Sequence, residues 1–296
     1  MDQTISIWFE SIRNGFLDAF FLIITEFGDE LVFLIISSVL YWLVNKDFGY
    51  RFMMIFLTTI AINDVLKNII ARPRPWEAGV VSVVGEGSYG LSMPSGHAQG
   101  SMTMALVLHE KFGKLKKWVP YLLFSIAILV SISRVYLGQH YLTDVIAGIG
   151  VSFVVYYAFI KLAPKVKLRP QTLVYYVAPL LLVLLFFVQD KNYFVSVSAM
   201  IGLTIGYDLE KKYINYDIKA PWKTQVLKYA LGLGVALLLK EGLKMVLPYT
   251  TDLDTEMTLL DLFLDFIRYF ILVLWLSFGS FWVFSKLFKN KKEVSV

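Results

Sequence analysis

The chain has 296 residues, of which 57% are hydrophobic and only 17% are charged, and its formal net charge at pH 7 is +5. A soluble protein of this length carries nearer a quarter of charged residues, so the composition excludes an ordinary soluble domain and indicates a polytopic membrane protein. The sequence contains no cysteine, which excludes disulfides, thiolate catalysis and cysteine metal ligands.

The N-terminal segment contains only a short apolar stretch, "AFFLIIT", between Asp18 and Glu26. That stretch is too short to cross a bilayer. We therefore expect residues 4–27 to form an amphipathic helix, or two, at the membrane interface. The start "MDQTISIWFESIRNG" lacks a basic region and a small-residue cleavage site, so we expect no cleaved signal peptide.

Nine apolar stretches follow as candidate spans, and several of them are shorter at these bounds than the length of about 20 residues that a spanning helix needs. They predict an all-α polytopic bundle of about nine spans, or ten if residues 4–27 also cross. The nine stretches are Glu30–Val44, Tyr50–Ile70, Ala98–Phe112, Val119–Tyr136, Val145–Leu162, Leu173–Val188, Phe194–Tyr207, Val226–Leu247 and Phe266–Phe288.

Basic residues are concentrated in alternate connections, among them "EKFGKLKK", "KLAPKVKLR" and "EKKYINYDIKAPWKTQ". The positive-inside rule places these connections in the cytoplasm. The connections that contain "ARPRP", "PSGH" and "SRVYLGQHYLTD" then lie on the non-cytoplasmic side. An acidic connection with Asp252, Asp254, Glu256 and Asp261 lies there too.

The expected organisation has three parts along one membrane domain. Residues 1–28 form the interfacial helix, residues 29–163 the membrane core, and residues 164–296 additional transmembrane helices. The basic stretch "KLAPKVKLRPQ" marks the seam between the second and third parts.

Charges at membrane depth are costly, so each one is a functional hypothesis. Asp64 and Lys67 are three residues apart on a predicted helix and share a face. They are either a self-neutralising pair, with Lys67 reaching the interface, or part of a site. Arg72 and Arg74 follow, each before a proline, in a turn that ends the helix.

The stretch "PSGH" precedes another apolar helix on the same side. Ser95 is a natural N-cap there, and Gly96 allows the backbone to approach a ligand. The unpaired N–H groups of the first helical turn form an anion site. His97 sits at this positive helix end, where a proton is disfavoured unless an anion is bound. The alternative for His97 alone is an interfacial histidine bonded to a carbonyl group.

The third polar stretch, "SRVYLGQHYLTD", joins two helices. Arg134 is suited to bidentate binding of phosphate. His140 and Asp144 are four residues apart, so the carboxylate can hold one imidazole nitrogen and leave the other free to attack. Asp144 can alternatively be a helix-start charge that the helix dipole favours.

Together, these three stretches predict a phosphate site on one membrane face. We expect cationic side chains to neutralise the phosphate, with no metal ion or other cofactor, because no cluster of carboxylates is evident. The candidate residues are Lys67, Arg74, Ser95, Gly96, His97, Arg134, His140 and Asp144.

The chain resembles the type 2 phosphatidic acid phosphatase superfamily, which includes glucose-6-phosphatases, bacterial undecaprenyl diphosphate phosphatases and vanadium haloperoxidases. The family's three-part signature, K-x6-R-P, P-S-G-H and S-R-x5-H-x3-D, matches Lys67 to Pro75, Pro94 to His97 and Ser133 to Asp144 without departure. The resemblance covers residues 30–163. Glucose-6-phosphatases also carry extra C-terminal spans.

The resemblance implies roles for these residues. His140 is the nucleophile that forms a phosphohistidine, and Asp144 orients it. His97 is the acid that protonates the leaving oxygen and then the base that activates water. Arg72 lies outside the signature, and we expect it to be a rim charge. The implied phosphate ligands are Lys67, Arg74, Ser95, Gly96 and Arg134.

The expected substrate is a lipid phosphate or diphosphate in the cell membrane, because the site lies close to the bilayer surface. Undecaprenyl diphosphate is favoured, ahead of phosphatidylglycerol phosphate and phosphatidate. The alternatives are hydrolysis of a soluble sugar phosphate, phosphoryl transfer to another acceptor, and a non-catalytic transporter or scaffold. Apolar and aromatic neighbours of the motifs suit either a lipid portal or an ordinary interfacial belt: Trp76, Tyr89, Leu91, Met93, Tyr136 and Tyr141.

One basic cluster lies outside these motifs, at the outer end of a C-terminal span. Lys240, Glu241 and Lys244 either anchor that helix or contact a second phosphate or headgroup. The expected partners are a lipid phosphate and membrane lipids rather than nucleic acid. The sequence leaves the oligomeric state open.

Overall fold

The structure is a computed structural model that describes residues 2–83, 90–162, 165, 170–250 and 257–288. Every secondary-structure element in these ranges is helical, which confirms the all-α class. The helices are α1 (Asp2–Ser11), α2 (Gly15–Thr25), α3 (Glu30–Val39), α4 (Lys46–Ile70), α5 (Gly96–Phe112), α6 (Val119–Tyr136), α7 (Leu142–Tyr157), α8 (Pro170–Leu184), α9 (Lys191–Leu209), α10 (Trp222–Val246), α11 (Leu259–Leu274) and α12 (Ser280–Leu287).

Short turns extend several of these helices. Single 3₁₀ turns lie at Glu26–Gly28 and Pro75–Ala78. Turns of π-helix follow α3, α7, α9 and α11 at Leu40–Val44, Ala158–Leu162, Glu210–Ile214 and Trp275–Gly279.

Each predicted span falls largely on a helix, but the number of crossings is not established. Within the described ranges, three helical stretches are long and apolar enough to cross a membrane: Lys46–Ala78, Val119–Tyr136 and Leu142–Lys161. Glu30–Val44 and Val174–Leu184 are shorter apolar helices. The expected count of nine remains a prediction.

Two short helices, α1 and α2, occupy the N-terminal segment, as the sequence allowed. The Asn14 side chain caps α2 by accepting a hydrogen bond from the Leu17 N–H at 3.1 Å. Large apolar side chains of this segment are exposed, including Phe16 and Ile23 at 80% and 65%. Such a surface suits an interfacial position, which remains a prediction.

The chain forms two compact units, and the candidate site lies within one of them. The first unit comprises Met1–Ile35 and Thr58–Lys167, and the second Ile36–Leu57 and Leu168–Val296. The three-part organisation expected from the sequence has different boundaries from these two units and remains a prediction.

Helix α5 is the central element of the first unit. It packs against α6 and α7, while α2 packs against α6 and α1 contacts both α6 and α7. Every residue from Ala98 to Val107 is buried. Many of them are small or polar, which permits close helix approach without large apolar side chains. This arrangement places the start of α5 beside the end of α6 and the start of α7.

The second unit contains buried ion pairs of its own. Lys46 Nζ lies 2.6 Å from Glu210 Oε1, and Arg268 Nη1 lies 2.8 Å from Asp265 Oδ1. Helix α9 packs against α8 and α11.

The basic cluster of Lys240, Glu241 and Lys244 lies on the last turns of α10, where Glu241 and Lys244 are exposed. Its role remains a prediction. Asp252, Asp254 and Glu256 of the acidic connection lie outside the described residues.

Candidate active site

Within the first unit, the three signature stretches come together. The charges of Lys67, Arg74 and Arg134 act on both candidate histidines, which places these three side chains around the imidazoles. Asp64, one turn before Lys67 on α4, is 2% exposed. The site combines the end of α4 and the turn after it, the start of α5, the end of α6 and the start of α7.

His140 lies in the loop between α6 and α7 and is 2% exposed. Its Nε2 atom is 3.5 Å from Arg74 Nη1, and its Nδ1 atom is 3.5 Å from Ser92 Oγ. The distance from Nδ1 to Asp144 Oδ2 is 3.7 Å, beyond hydrogen-bond length. The Ser92 hydroxyl donates to that Asp144 oxygen at 2.5 Å. Ser92 therefore takes the place of the direct imidazole–carboxylate bond that the i, i+4 spacing suggested.

The Asp144 carboxylate is fully buried in the first turn of α7. Its Oδ2 atom accepts the Tyr141 N–H at 2.8 Å as well as the Ser92 hydroxyl. Its Oδ1 atom accepts a hydrogen bond from Arg72 Nη1 at 2.7 Å. Asp144 is thus a helix-start charge that lies close to His140 without a direct hydrogen bond to it.

Arg72, which we expect to be a rim charge, is partly exposed and also bonds residues of α7, and its role remains a prediction. Besides its bond to Asp144, Arg72 Nη1 donates to Thr143 Oγ1 at 2.6 Å, and its guanidinium carbon lies 4.0 Å from the centre of the Tyr141 ring. The backbone at Arg74 is extended, and the residue before each proline is biased to that conformation. The two arginines of "RPRP" have different partners, since Arg72 binds Asp144 and Arg74 lies beside His140.

Two buried arginines border the free face of His140. Arg74, 4% exposed, donates from Nε to the Gly90 carbonyl at 2.7 Å and from Nη1 to the Gln139 carbonyl at 3.1 Å. Arg134, 5% exposed, donates from Nη1 to Thr25 Oγ1 at 2.8 Å. The Arg134 Nε–H is buried and has no hydrogen-bond partner among the described residues. It is available to an oxyanion.

The "PSGH" loop is held from two sides. The Ser95 N–H donates to the Asp144 carbonyl at 3.0 Å, and Asn63 Nδ2 donates to the Pro94 carbonyl at 3.2 Å. A Cβ atom on Gly148 of α7 would lie 2.6 Å from the Ser95 carbonyl oxygen, so only glycine permits this approach.

Ser95 occupies the N-cap position of α5 but makes no side-chain capping bond. Its hydroxyl is buried without a partner in the described part of the chain, so it too can bind an anion. Gly96, the next residue, is exposed.

His97 lies in the first turn of α5 and packs against the 3₁₀ turn after α2. A Cβ atom on Gly28 would lie 3.2 Å from His97 Cδ2 and 2.7 Å from Val130 Cγ1. The absence of a side chain at Gly28 therefore makes room for the imidazole. This contact brings the N-terminal helices to the edge of the site.

The electrostatics of the site keep both histidines neutral near pH 7. Burial, followed by the charges of Arg74, Arg134 and Lys67, holds the pKa of His140 well below its usual 6.5. For His97, which precedes the apolar part of α5, burial and the charge of Arg134 are the largest causes of a pKa well below 6.5. A phosphate dianion in the site offsets these positive charges, so we expect it to raise the pKa of each imidazole.

Not all of the aromatic residues beside the motifs lie where they could line a lipid portal. Tyr136 is fully buried and donates to Asp18 Oδ1 at 2.6 Å, and Tyr141 is 7% exposed beneath Arg72. Both side chains are buried within the first unit. Three further neighbours, Trp76, Leu91 and Met93, are half-buried, so a lipid portal and an interfacial belt both remain predictions for them. Tyr89 lies outside the described residues.

Sequence reasoning assigned no role to several residues that contact the site, among them Thr25, Gly28, Asn63 and Ser92. Ser92 stood next to a quoted motif without a role. The other signals were weak, because Thr25 and Gly28 are far from the motifs along the chain. Among the described residues, no three His, Asp or Glu side chains form a group that could hold a metal. The expectation that no metal is needed remains a prediction.

Two family profiles match the chain. "PAP2 superfamily" matches residues 48–168, and "PAP2 superfamily phosphatase, transmembrane extension" matches residues 194–292. A solved structure, the transmembrane PAP2 type phosphatidylglycerolphosphate phosphatase from Bacillus subtilis, is 28% identical with a TM-score of 0.48, covering 57% of this chain and 86% of that chain.

Curated relatives are phosphatases of lipids. Phosphatidylglycerophosphatase B of Bacillus subtilis is 33% identical over 178 residues, which cover 56% of this chain and 85% of the relative. Undecaprenyl-diphosphatase BcrC of Bacillus subtilis is 26% identical, with 53% and 80% covered. Sphingosine-1-phosphate phosphatase 1 of Rattus norvegicus is 30% identical over 54% of this chain but only 37% of its own length. The resemblance drawn from the motifs is confirmed: the chain belongs to the PAP2 superfamily of phosphatases.

Proposed function

We propose that this phosphatase hydrolyses a lipid phosphate or diphosphate at the non-cytoplasmic face of the cell membrane, through a phosphohistidine and without a metal ion. One observation carries the proposal: two buried donors, Arg134 Nε–H and the Ser95 hydroxyl, have no partner among the described residues, and Arg134 is close enough for its charge to act on His140. Buried donors without partners are costly unless an anion binds them.

The orientation of His140 assigns its nitrogens. Nδ1 faces Ser92 and Asp144, so it carries the proton, while Nε2 faces Arg74 and keeps its lone pair. In the first step Nε2 forms a bond to phosphorus as the bond from phosphorus to the leaving oxygen breaks. That oxygen takes a proton from His97, whose imidazolium the bound phosphate stabilises.

In the second step His97, now neutral, removes a proton from water. The water oxygen forms a bond to phosphorus as the Nε2–phosphorus bond breaks, which releases phosphate and restores neutral His140. The charges of Lys67, Arg74 and Arg134 stabilise the developing negative charge in both steps, which is the role a metal ion plays in other phosphatases.

A lipid substrate is supported by the relatives, whose names refer to lipid phosphates and diphosphates. Undecaprenyl diphosphate is our first candidate from the sequence. Phosphatidylglycerol phosphate is the second, because the relative named for it is 33% identical to this chain. Soluble sugar phosphates are the competing class.

Phosphate release from purified protein in detergent tests this proposal. We expect release from undecaprenyl diphosphate or phosphatidylglycerol phosphate to exceed release from phosphatidate and from glucose 6-phosphate. The same rate after treatment with a chelator is expected, because side chains supply the positive charge. Preference for the sugar phosphate would reject the lipid assignment, and loss of activity on chelation would reject metal independence.

The nucleophile is tested by substitution and by trapping. His140→Ala removes the attacking atom, so we expect activity to fall by about 10³-fold or more. His97→Ala slows the second step, and labelled substrate should leave an acid-labile phosphohistidine on that variant. His109→Ala is the matched control, because His109 is exposed near the end of α5. Phosphate release by His140→Ala at the wild-type rate would exclude the mechanism.

A further inference from the structure

Arg72 is the most heavily bonded charged side chain near the site that the signature leaves without a role. Its Nη1 atom donates to Asp144 Oδ1 at 2.7 Å, and its Nη2 atom donates to Asp2 Oδ2 at 2.9 Å. Thr143 joins both, because its hydroxyl accepts from Arg72 and donates to the same Asp2 oxygen at 2.5 Å. The guanidinium is thus fixed between two carboxylates on separate helices.

The side chain of Arg72 borders the protein surface. An open surface cleft is lined by Arg72 together with Asp2, Gln3, Tyr141 and Thr143. None of the proposed phosphate ligands, and neither candidate histidine, lines that cleft in the described structure. The Arg72 side chain meets the site at Asp144, and the Arg72 carbonyl oxygen also accepts the Ser92 N–H at 2.8 Å.

The two oxygens of Asp144 are held by different donors. Arg72 binds Oδ1, while the Ser92 hydroxyl and the Tyr141 N–H bind Oδ2 on the side of His140. A carboxylate held at both oxygens cannot rotate, so Oδ2 keeps its place near Nδ1. The positive charge of Arg72 also reduces the pull of Asp144 on a proton at His140. That reduction favours the neutral, nucleophilic imidazole.

We propose that Arg72 is a positioning residue, which holds the Asp144 carboxylate in the orientation that His140 needs, and that Asp2 in turn holds Arg72. The inference rests on the proposed function, because it acts on the nucleophile assigned there. It adds α1 to the elements that determine the geometry of the site.

Three variants test the proposal: Arg72→Gln, Arg72→Lys and Asp2→Asn. Each is assayed as purified full-length protein with undecaprenyl diphosphate or phosphatidylglycerol phosphate as the substrate. For Arg72→Gln we expect kcat to fall by about 10- to 100-fold, the size seen when a partner that orients a primary ligand is removed. KM should stay within about threefold, because the phosphate ligands are untouched. Arg72→Lys keeps the charge and should recover part of the loss.

A pH profile separates positioning from a general loss of folding. Without Arg72, Asp144 stabilises the imidazolium of His140 more strongly, so the acid limb of kcat/KM should move to higher pH. A variant that only folds less well contains less active protein, but the acid limb of its kcat/KM profile stays at the same pH. The charged and titratable groups that face His140 are Lys67 of α4, Arg74 of the following turn, His97 of α5, Arg134 of α6 and Asp144 of α7.

Each outcome decides the question. Wild-type kcat and an unmoved acid limb in folded Arg72→Gln would overturn the proposal, while an inactive His140→Ala would still support the proposed function. If Arg72→Gln does not fold, Asp2→Asn decides: a loss of about threefold with the same direction of pH movement supports the proposal, and an unchanged profile rejects it. Arg51→Gln, which removes an arginine stacked on Phe48, is the control and should match wild type.

Discussion

The Ser92 hydroxyl offers a sharp test of how His140 and Asp144 communicate. Ser92→Ala removes the 2.5 Å bond to Asp144 Oδ2 and the group 3.5 Å from His140 Nδ1, which leaves a 3.7 Å gap between imidazole and carboxylate. A hydrogen bond to a charged group contributes about 1.5–3 kcal/mol. At about 1.36 kcal/mol for each factor of ten, we expect kcat to fall by about 10- to 150-fold.

Steady-state phosphate release at saturating and at low substrate separates kcat from KM. We expect KM to change little, because Ser92 does not face the proposed phosphate ligands. Ser131→Ala is the matched control, since Ser131 is also a buried serine and its hydroxyl bonds only a helical carbonyl, that of Ala127 at 2.8 Å. If Ser92→Ala retains kcat within twofold of wild type, the imidazole and carboxylate do not depend on the hydroxyl, and the assignment of Ser92 is wrong.

Because the first step needs His140 neutral and His97 protonated, we expect a bell-shaped profile, with protonation of His140 on the acid side and loss of the His97 proton on the basic side. Because bound phosphate raises the pKa of His97, the basic limb of kcat should lie at higher pH than that of kcat/KM, and coincident or monotonic profiles would contradict the pairing. Gly28→Ala places a Cβ atom 2.7 Å from Val130 Cγ1 and 3.2 Å from His97 Cδ2, so we expect a loss of about tenfold in kcat from a displaced imidazole. Gly15→Ala, whose added Cβ meets nothing within 4 Å, should keep wild-type kcat, and equal rates for the two alanine variants would argue against that packing.

The sequence was sufficient for the helical class and for much of the site, because its strongest signals are local. A proline, a glycine and a helix start within "PSGH" predict an exposed backbone anion site, whatever packs around them. The i, i+4 spacing of His140 and Asp144 suggested that they lie near each other, although His140 precedes the first residue of α7. These features depend on a few neighbouring residues, so reading them needed no tertiary structure.

What the sequence could not supply are the contacts between distant segments. The spacing of Asp144 and His140 suggested a direct hydrogen bond between them. The structure instead separates His140 Nδ1 from Asp144 Oδ2 by 3.7 Å and places the Ser92 hydroxyl near both atoms. Arg72 and Arg74 look equivalent in "RPRP", and only the packing of α1 and α7 shows that they have different partners. The number of membrane crossings is similarly open, since helix length alone does not state where the bilayer lies.

The contacts of Thr25 and Gly28 also bear on where the catalytic unit begins. The family profile starts at residue 48, yet Arg134 donates to a hydroxyl at residue 25, and the imidazole of His97 occupies the space left at residue 28. The region that the family profile matches is therefore smaller than the set of residues that surrounds Arg134 and His97. Grafting residues 48–168 onto another membrane scaffold would transfer every signature residue and still leave Arg134 and His97 without part of their surroundings.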